Sequence, residues 1–409
     1  MAERRLLYLS PEFPDPEGNG GEVRLFQIIG ELARGGDHVT VVAPGPADKV
    51  ERGLTLRDAG VDVRPVVRPA SRVREAAGAT VADPRVAVRA LTRSWMAWQA
   101  EVYLHELRDE LGRAFGERWD GVVIEHDWAL AWSRVVPGVL PLGLVFQNVT
   151  DMLLTRQADT LKGPARLRAR RDARLARAET DRAIGRVSRA FACSADDATV
   201  VTERWGVPCA VVPNGADVEH LASVPDGGQV PGRLLFTGTM SYPPNAQAAR
   251  WLVERVLPAI RALRRDVTLT IVGRDPPPAV RELSSVDGVT VTGRVPDLAS
   301  YFAEASVVVA PLLAGSGTKL KVLEAMAAGR PVVATSIGAE GIDAEDGREL
   351  RLADDPDAFA GTVAALLDDP AAASKMASRA RVLASGRYSW KASGRRMRDA
   401  IHAWLPATH

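Results

Sequence analysis

The chain has 409 residues, more than one hydrophobic core usually serves, so we expect two domains of roughly 200 residues each. Its hydrophobic content of 46%, charged content of 25% and net charge of +1 are typical of a globular protein that has no general attraction to nucleic acid. The apolar run near the N-terminus is too short for a signal peptide, and no segment resembles a membrane span, so we expect a cytoplasmic protein. Six scattered histidines and two isolated cysteines, Cys193 and Cys209, argue against a metal site or a disulfide.

The first half of the chain begins with a strand-loop-helix pattern. A strand is predicted at residues 5–9 and an amphipathic helix at 22–34, and the loop between them holds Gly18, Gly20 and Gly21. Glycines at such a turn let a ligand approach the backbone closely. A ligand-binding turn and an ordinary surface loop both fit this segment.

Two later strands of the first half end in polar residues. The strand predicted at 121–125 is followed by His126, and the strand predicted at 142–146 is followed by Gln147. Ligands of open parallel sheets bind outside the carboxyl ends of the strands, so we assign His126 a functional role and keep a structural histidine as the alternative. The other elements expected here are strands at 38–43, 61–67, 190–194 and 210–213 and helices at 86–116, 162–189 and 196–206.

A basic segment begins at Lys162 and is expected to continue as a helix to Arg189. Residues 162–177 hold seven basic residues against one aspartate. A solvated helix face is one interpretation, and a patch that meets an anionic membrane surface or a lipid-phosphate acceptor is the other. The second interpretation implies a peripheral protein at the inner membrane face.

The second half restarts the α/β pattern after a polar, glycine-rich segment. We therefore place one domain at residues 1–222, a second at 231–388, and a C-terminal helix at 389–409 that packs back on the first domain. Pro258 is expected to break or kink the first helix of the second domain. The expected strands are 234–237, 268–272, 289–292, 307–310 and 332–335, and the expected helices are 246–263, 279–283, 298–305, 319–328, 358–367, 371–384 and 390–404. Glycine turns after two of these strands make Gly238 and Arg274 candidates for a phosphate site.

The most informative stretch is residues 307–341, an apolar run, a glycine loop and a helix. The loop at residues 315–318 lies where the helix must begin, so its backbone amides suit an anion. Lys319 and Lys321 add positive charge in the first turn, where the helix dipole disfavours it, and Glu324 suits a pair of sugar hydroxyls. A common glycine turn with a solvated glutamate is the alternative. The pattern is neither a Walker A loop nor a GxGxxG fingerprint.

These motifs resemble the retaining group 1 glycosyltransferases of the GT-B fold, similar to glycosyltransferase family 4. The resemblance rests on FTGTMSYPPNAQAARWL, IVGRD, VTGRVPDL, APLLAGSGTKLKVLEAMAAGRPVVAT and GAEGI in the second half, and on PDPEGNGGEVRLFQIIGELARGGDHVTVV and PNGAD in the first. It implies an α/β protein with two Rossmann-like, doubly wound parallel-sheet domains facing across a cleft. The first domain would bind the acceptor and the second the nucleotide-sugar donor.

The resemblance also implies roles for individual residues of the second domain. Ser316, Gly317, Thr318 and Lys319 match the positions that bind the nucleotide diphosphate, and Glu324 matches the glutamate that binds the ribose hydroxyls. In the first domain, Gly20 and Gly21 match the turn that closes over the donor phosphates, and His126 matches a histidine beside the donor sugar and acceptor.

Two departures from the family pattern affect the expected chemistry. Ser316 stands where many members have a glutamate that contacts the donor sugar, so the identity of the sugar stays open. The basic pair after the first strand of the second domain is missing, and we expect Lys319, Lys321 and Arg274 to supply the phosphate charge instead.

The expected reaction is a metal-independent, retaining transfer of a sugar from a nucleotide sugar to a sugar, lipid-linked or small-molecule acceptor, as in polysaccharide or glycolipid synthesis. No cofactor is expected. Asp127 is the nearest candidate for a carboxylate nucleophile, whereas the resemblance favours a front-face route in which the departing phosphate helps deprotonate the acceptor. A nucleotide-sugar epimerase or hydrolase and a non-catalytic sugar-nucleotide-binding subunit are the alternatives. The sequence does not define the sugar, the base, the acceptor or the oligomeric state.

Overall fold

The computed structural model describes residues 3–68, 93–315 and 317–405, and the chain divides into two compact units. Unit 1 comprises Met1–Pro213 and Ser393–His409, and unit 2 comprises Asn214–Ala392. Ser316 lies outside the described residues, as do the first residues of the helix predicted at 86–116.

Unit 1 contains a seven-stranded parallel sheet in the order β3-β2-β1-β4-β5-β6-β7. The strands are β1 Arg5–Leu9, β2 His38–Gly45, β3 Asp62–Val67, β4 Gly121–Glu125, β5 Leu142–Phe146, β6 Arg189–Ala192 and β7 Cys209–Val211. Successive residues of β1 enter two different hydrophobic clusters: Leu7 and Leu9 lie in one, and Leu6 and Tyr8 lie in the other. Both faces of the sheet are therefore covered, as parallel sheets require.

The helices of unit 1 mostly follow the predicted periodicity. They are α1 Gly20–Arg34, α2 Ala47–Gly53, α3 Trp95–Glu106, α4 Arg108–Ala114, α5 Thr150–Thr160, α6 Gly163–Ala183 and α7 Ala195–Trp205, with 3₁₀ turns at Leu54–Ala59, Asp127–Arg134 and Ile184–Arg186. The segment predicted as one helix up to residue 116 is interrupted at Leu107, and α5 was not predicted, because its sequence is largely polar.

Unit 2 contains a six-stranded parallel sheet in the order β10-β9-β8-β11-β12-β13. The strands are β8 Arg233–Thr237, β9 Thr268–Val272, β10 Val289–Gly293, β11 Val307–Ala310, β12 Val332–Ala334 and β13 Arg351–Leu352. The two-residue strand β13 was not predicted. The fold class is confirmed as two doubly wound parallel-sheet units, each covered on both faces.

The helices of unit 2 begin after the linker, and the last one ends in unit 1. They are α8 Val218–Ala222, α9 Pro243–Trp251, α10 Leu257–Leu263, α11 Pro278–Arg281, α12 Ala299–Glu304, α13 Leu320–Ala327, α14 Pro356–Asp368, α15 Pro370–Arg387 and α16 Trp390–Trp404, with a π-helical turn at Leu252–Val256 and a 3₁₀ turn at Glu282–Ser285. Pro258 lies in the first turn of α10, where its missing N–H leaves no helical hydrogen bond unmade.

The division between the units falls earlier than the predicted boundary at residue 222. Ala216 pairs with Ser389 in an isolated β-bridge, and its N–H donates to the Tyr388 carbonyl at 2.7 Å, so this segment belongs to unit 2. The end of α16 belongs to unit 1, where Met397 and Ile401 join the cluster of Leu6 and Tyr8.

Candidate functional site

The sheet order defines a topological switch point in unit 2. The chain leaves β8 toward β9 on one side and leaves β11 toward β12 on the other, and β8 pairs with β11. Ligands of open parallel sheets bind outside the carboxyl ends of such a pair. Gly238 follows β8 and Gly315 follows β11, so both predicted glycine turns lie at this point.

The loop before α13 is built for close backbone approach. Gly315 has φ of 130° and Gly317 has φ of 69°, values that side chains rarely tolerate. Thr318 is buried, and its carbonyl accepts a hydrogen bond from the Asn214 side chain at 2.9 Å. None of the described side chains caps the N-terminus of α13, so its first amides and the helix dipole are suited to an anion.

Lys319 is the buried residue immediately before α13. Its ammonium donates to the Gly317 carbonyl at 2.5 Å and lies 3.8 Å from Glu340 Oε2. Glu340 lies in the GAEGI motif, and nothing in that motif indicates its contact with Lys319. Lys319 therefore forms part of the loop wall, with its charge balanced by a carboxylate from the segment after β12.

Lys321 lies in the first turn of α13 and reaches the turn after β8. Its Nζ donates to Asn245 Oδ1 at 2.6 Å and lies 4.6 Å from the centre of the Phe236 ring. A Cβ atom at Gly238 would lie 2.9 Å from Lys321 Nζ, so the glycine keeps this space open. Burial of the ammonium lowers the pKa of Lys321 to about 7, although Glu324 opposes the shift.

Arg274 connects the turns after β8 and β9. Its Nε donates to Thr239 Oγ1 at 3.2 Å, and its carbonyl accepts from the Met240 N–H at 2.9 Å. Gly273 packs directly on the Gly238 carbonyl, which leaves no room for a side chain there. The structure therefore brings Arg274 beside the Gly238 turn, and its role at the phosphates stays a prediction.

Glu324 lies one turn after Lys321 on α13. Burial raises the pKa of its carboxyl, and the charge of Lys321 partly offsets this effect. No hydrogen bond to its side chain comes from the part of the chain that the structure describes. A half-buried acceptor of this kind suits a ligand that brings its own hydroxyl donors.

Unit 1 has its own switch point, between β1 and β4. His126 follows β4, and Glu12 lies in the loop after β1, with 3.2 Å between His126 Nε2 and Glu12 Oε2. Burial of the ring opposes its charge, but attraction to Glu12 prevails and raises the pKa of His126. His126 also has φ of 69°, an uncommon value for a residue with a side chain. Glu12 was not predicted as a site residue. It nevertheless follows a strand, which is the signal that identified His126.

Asp127 has a structural partner. It accepts the Thr150 N–H at 2.9 Å and also binds the Thr150 hydroxyl, which secures the first turn of α5. Burial raises the pKa of Asp127 to about 6, and the Thr150 hydrogen bonds oppose this shift. These contacts account for Asp127 without a role as nucleophile.

The start of α1 differs from the start of α13. Asn19 Oδ1 accepts the N–H groups of Gly21 and Glu22, and the Glu22 carboxylate accepts the Asn19 N–H in return. A side chain at Gly21 would clash with Gln147, which supplies a packing reason for this glycine. The donor-binding role of Gly20 and Gly21 stays a prediction, because the capping box already uses the Gly21 amide.

Part of unit 2 matches a known protein family. Residues 231–369 match the model of the glycosyl transferases group 1 family. These residues form a group 1 glycosyltransferase domain. The match includes β8 and α13, so the glycine turns and lysines described above lie within the glycosyltransferase domain.

The chain is also similar to individual proteins of known sequence or structure. The phosphatidyl-myo-inositol mannosyltransferase of Mycolicibacterium smegmatis is 33% identical over 197 residues, which are 46% of this chain and 50% of that protein. The chain thus spans about half the length of this relative. Sucrose-phosphate synthase from Thermosynechococcus elongatus has a TM-score of 0.70 at 16% identity, covering 99% of this chain and 100% of that one. HepE from Anabaena, solved with UDP and glucose, has a TM-score of 0.66 at 16% identity, covering 98% and 100%. These likenesses confirm the predicted GT-B fold.

Across residues 3–68, 93–315 and 317–405, no helix is long and apolar enough to cross a membrane. The same ranges hold no group of three His, Cys, Asp or Glu side chains placed to bind a metal ion. Within these ranges neither Cys193 nor Cys209 forms a disulfide.

Proposed function

We propose that this chain is a glycosyltransferase that moves a sugar from a nucleotide-diphosphate sugar to an acceptor hydroxyl, with unit 2 binding the donor and unit 1 the acceptor. The observation that carries the proposal is the start of α13, where a helix end that no described side chain caps, Lys319, Lys321 and the half-buried Glu324 lie together at a sheet switch point. The group 1 domain match and the UDP and glucose bound by HepE support this choice of donor.

The chemistry requires stabilisation of a leaving diphosphate. As the bond from the anomeric carbon to the phosphate oxygen breaks, negative charge grows on that oxygen. In the proposed complex, the amides at the start of α13 and the ammonium groups of Lys319 and Lys321 face this charge, and Arg274 adds to it. These groups supply the positive charge that a divalent cation would otherwise bring, so we propose a metal-independent transfer.

We further propose retention of the anomeric configuration, on the resemblance to retaining members of the family. Asp127 is bound to Thr150, so the proposed route uses no covalent intermediate on that carboxylate. The acceptor instead attacks from the face that the phosphate leaves, and its proton passes to the departing phosphate oxygen. Proton NMR of the product anomer, compared with the donor anomer, tests retention directly.

Substitution of the unit 2 residues tests the assignment of the site. We expect Lys319→Ala and Glu324→Ala each to lower turnover of a nucleotide sugar on the order of a hundredfold, the usual effect of losing one charge-stabilising contact. Lys375→Ala is the matched control, because Lys375 is exposed on α15. Wild-type rates in both site variants, with every donor that the enzyme turns over, would show that the site is elsewhere. Epimerised or hydrolysed donor in the absence of any acceptor would favour the alternative enzyme classes.

A membrane-linked acceptor is also proposed, on the composition of α6. This helix carries seven arginines against three carboxylates, and Leu167 on it is 71% exposed. Some arginines are engaged already: Asp159 lies 3.1 Å from Arg170 and 3.4 Å from Arg166. Co-sedimentation with phosphatidylserine-containing vesicles at low salt tests the contact, and we expect binding that decreases as salt is added. Equal recovery in the supernatant with and without anionic lipid would rule it out.

A further inference from the structure

Glu12 is a carboxylate at the unit 1 switch point to which the proposed mechanism assigns no role. It follows β1, its partner His126 follows β4, and these two strands pair in parallel at the centre of the sheet. The side chain of Glu12 is 29% exposed and that of His126 is 11% exposed. The pair therefore lies at the edge where a ligand of this sheet would bind, and it is largely shielded from water.

The ionisation states fix the direction of the hydrogen bond. Burial opposes the charge on Glu12, but the attraction of His126 outweighs it and lowers the pKa of the Glu12 carboxyl. An ionised carboxylate can only accept hydrogen bonds, so Nε2 of His126 must carry the proton and donate it. No hydrogen bond to Nδ1 comes from the described residues, which leaves Nδ1 as the ring nitrogen available to a ligand.

Other charged groups surround the pair, and they act on both partners. Those that face His126, or that reach it through Glu12 or Glu125, are Glu12, Glu22, Arg24, Lys49, Glu125 and Asp127. Within this group Glu12 is the carboxylate that binds the ring directly. Glu22 is bound by Lys49, Glu125 by Gln147, and Asp127 by Thr150.

The backbone of His126 shows that the ring position is enforced. A φ of 69° is unfavourable for a residue with a Cβ atom and persists only where its surroundings hold it. The centre of the Trp128 ring lies 5.2 Å from the centre of the imidazole ring. Glu12 contacts the imidazole at Nε2. Together they restrain the ring on a backbone that would otherwise relax.

We propose that Glu12 is a positioning residue for His126: it holds the imidazole by Nε2 so that Nδ1 is presented to the substrate of the transfer reaction. This inference rests on the proposed function for its catalytic consequence, but the Glu12 and His126 pairing itself does not. Glu12→Gln isolates the charge of this residue. A neutral amide in place of the carboxylate keeps the size of the side chain and removes the charge that favours the protonated ring.

The test compares Glu12→Gln with a matched pair elsewhere in unit 1. Glu3 and His38 also form a carboxylate-imidazole contact, at 3.0 Å, but both side chains are more than half exposed. Histidine-selective ¹⁵N NMR of the full chain reads the tautomer and titration of His126 in wild type, Glu12→Gln and Glu3→Gln. The pH profile of kcat/KM is measured on the same three proteins, and Glu12→Asp tests rescue by a shorter carboxylate.

We expect Glu12→Gln to shift the titration of His126 to lower pH and to move the matching limb of the kcat/KM profile by the same amount. Well above the pKa of His126, the protonated fraction of its ring changes tenfold for each pH unit. At pH values above that limb, kcat/KM should therefore fall about tenfold for each unit by which the titration shifts. Glu3→Gln should change neither measurement, and Glu12→Asp should recover part of both.

Different outcomes distinguish failure of this inference from failure of the proposed function. An unchanged His126 tautomer and titration in Glu12→Gln would overturn the positioning role. A loss of activity with a lower melting temperature but an unshifted pH profile would also overturn it, because that is the result of a purely structural role. A shifted His126 titration in a chain that turns over no nucleotide sugar would keep the pairing and overturn the proposed function.

Discussion

The surroundings of Lys321 predict that donor binding depends on pH. Its ammonium is buried between Asn245 and Phe236, and burial lowers its pKa to about 7 from an ordinary value of 10.5. A diphosphate bound at the start of α13 would restore the favourable environment for a charged lysine. Donor binding at pH 8 to 9 should therefore be coupled to uptake of a proton by Lys321.

The size of the change in affinity depends on the fraction of chains in which Lys321 is charged. With a pKa near 7, about one tenth of the ammonium groups are protonated at pH 8 and about one hundredth at pH 9. If only the protonated form binds well, the apparent affinity falls about tenfold per pH unit over this window, since affinity scales with the competent fraction. The donor should therefore bind more tightly at the lower pH, and binding should take up to about one proton per site.

Isothermal titration calorimetry measures this coupling in buffers that differ in ionisation enthalpy. The ligand is whichever of UDP, GDP and ADP binds most tightly. We expect Lys321→Met to remove both the proton uptake and the pH dependence, and Lys375→Met to keep them. Wild-type binding without proton uptake at pH 8, or equal uptake in Lys321→Met, would refute the assignment of Lys321 to the phosphates.

Two further substitutions test individual contacts. Asp127→Asn keeps an oxygen acceptor for Thr150, so we expect kcat to stay within a fewfold of wild type; loss of all turnover in a stably folded variant would instead identify a nucleophile. Gly238→Ala places a Cβ atom 2.9 Å from Lys321 Nζ, so we expect about tenfold weaker binding of the nucleoside diphosphate, a cost typical of one displaced polar contact. Gly227→Ala, which adds a Cβ atom in open space, is its control, and equal affinities in the two variants would contradict this role of the turn.

The elements around the unit 2 site could be predicted because their signals are local. The apolar run of β11 was predicted at its observed bounds, and the helix predicted at 319–328 is observed at Leu320–Ala327. The glycine loop between them also followed from sequence, because the φ values of Gly315 and Gly317 strongly favour glycine.

The features that sequence could not supply depend on distant contacts. Glu12 and His126 are 114 residues apart, and only the pairing of β1 with β4 brings them together. The same holds for Glu340 beside Lys319, because a loop after one strand has no local signal for its neighbour. The helix α5 was missed since Asp127, from another segment, secures its first turn.

In the function proposed above, a nucleoside diphosphate binds at the start of α13 with its ribose on Glu324. The most direct measurement is a cycle of four affinities, in which wild type and Glu324→Ala each bind the preferred nucleoside diphosphate and its 2′,3′-dideoxy form. We expect wild type to bind the dideoxy ligand about tenfold to a hundredfold more weakly, the usual range for a hydrogen bond to a charged group, and Glu324→Ala to bind the two ligands equally. Equal affinities in wild type, or the same loss in both proteins, would contradict it.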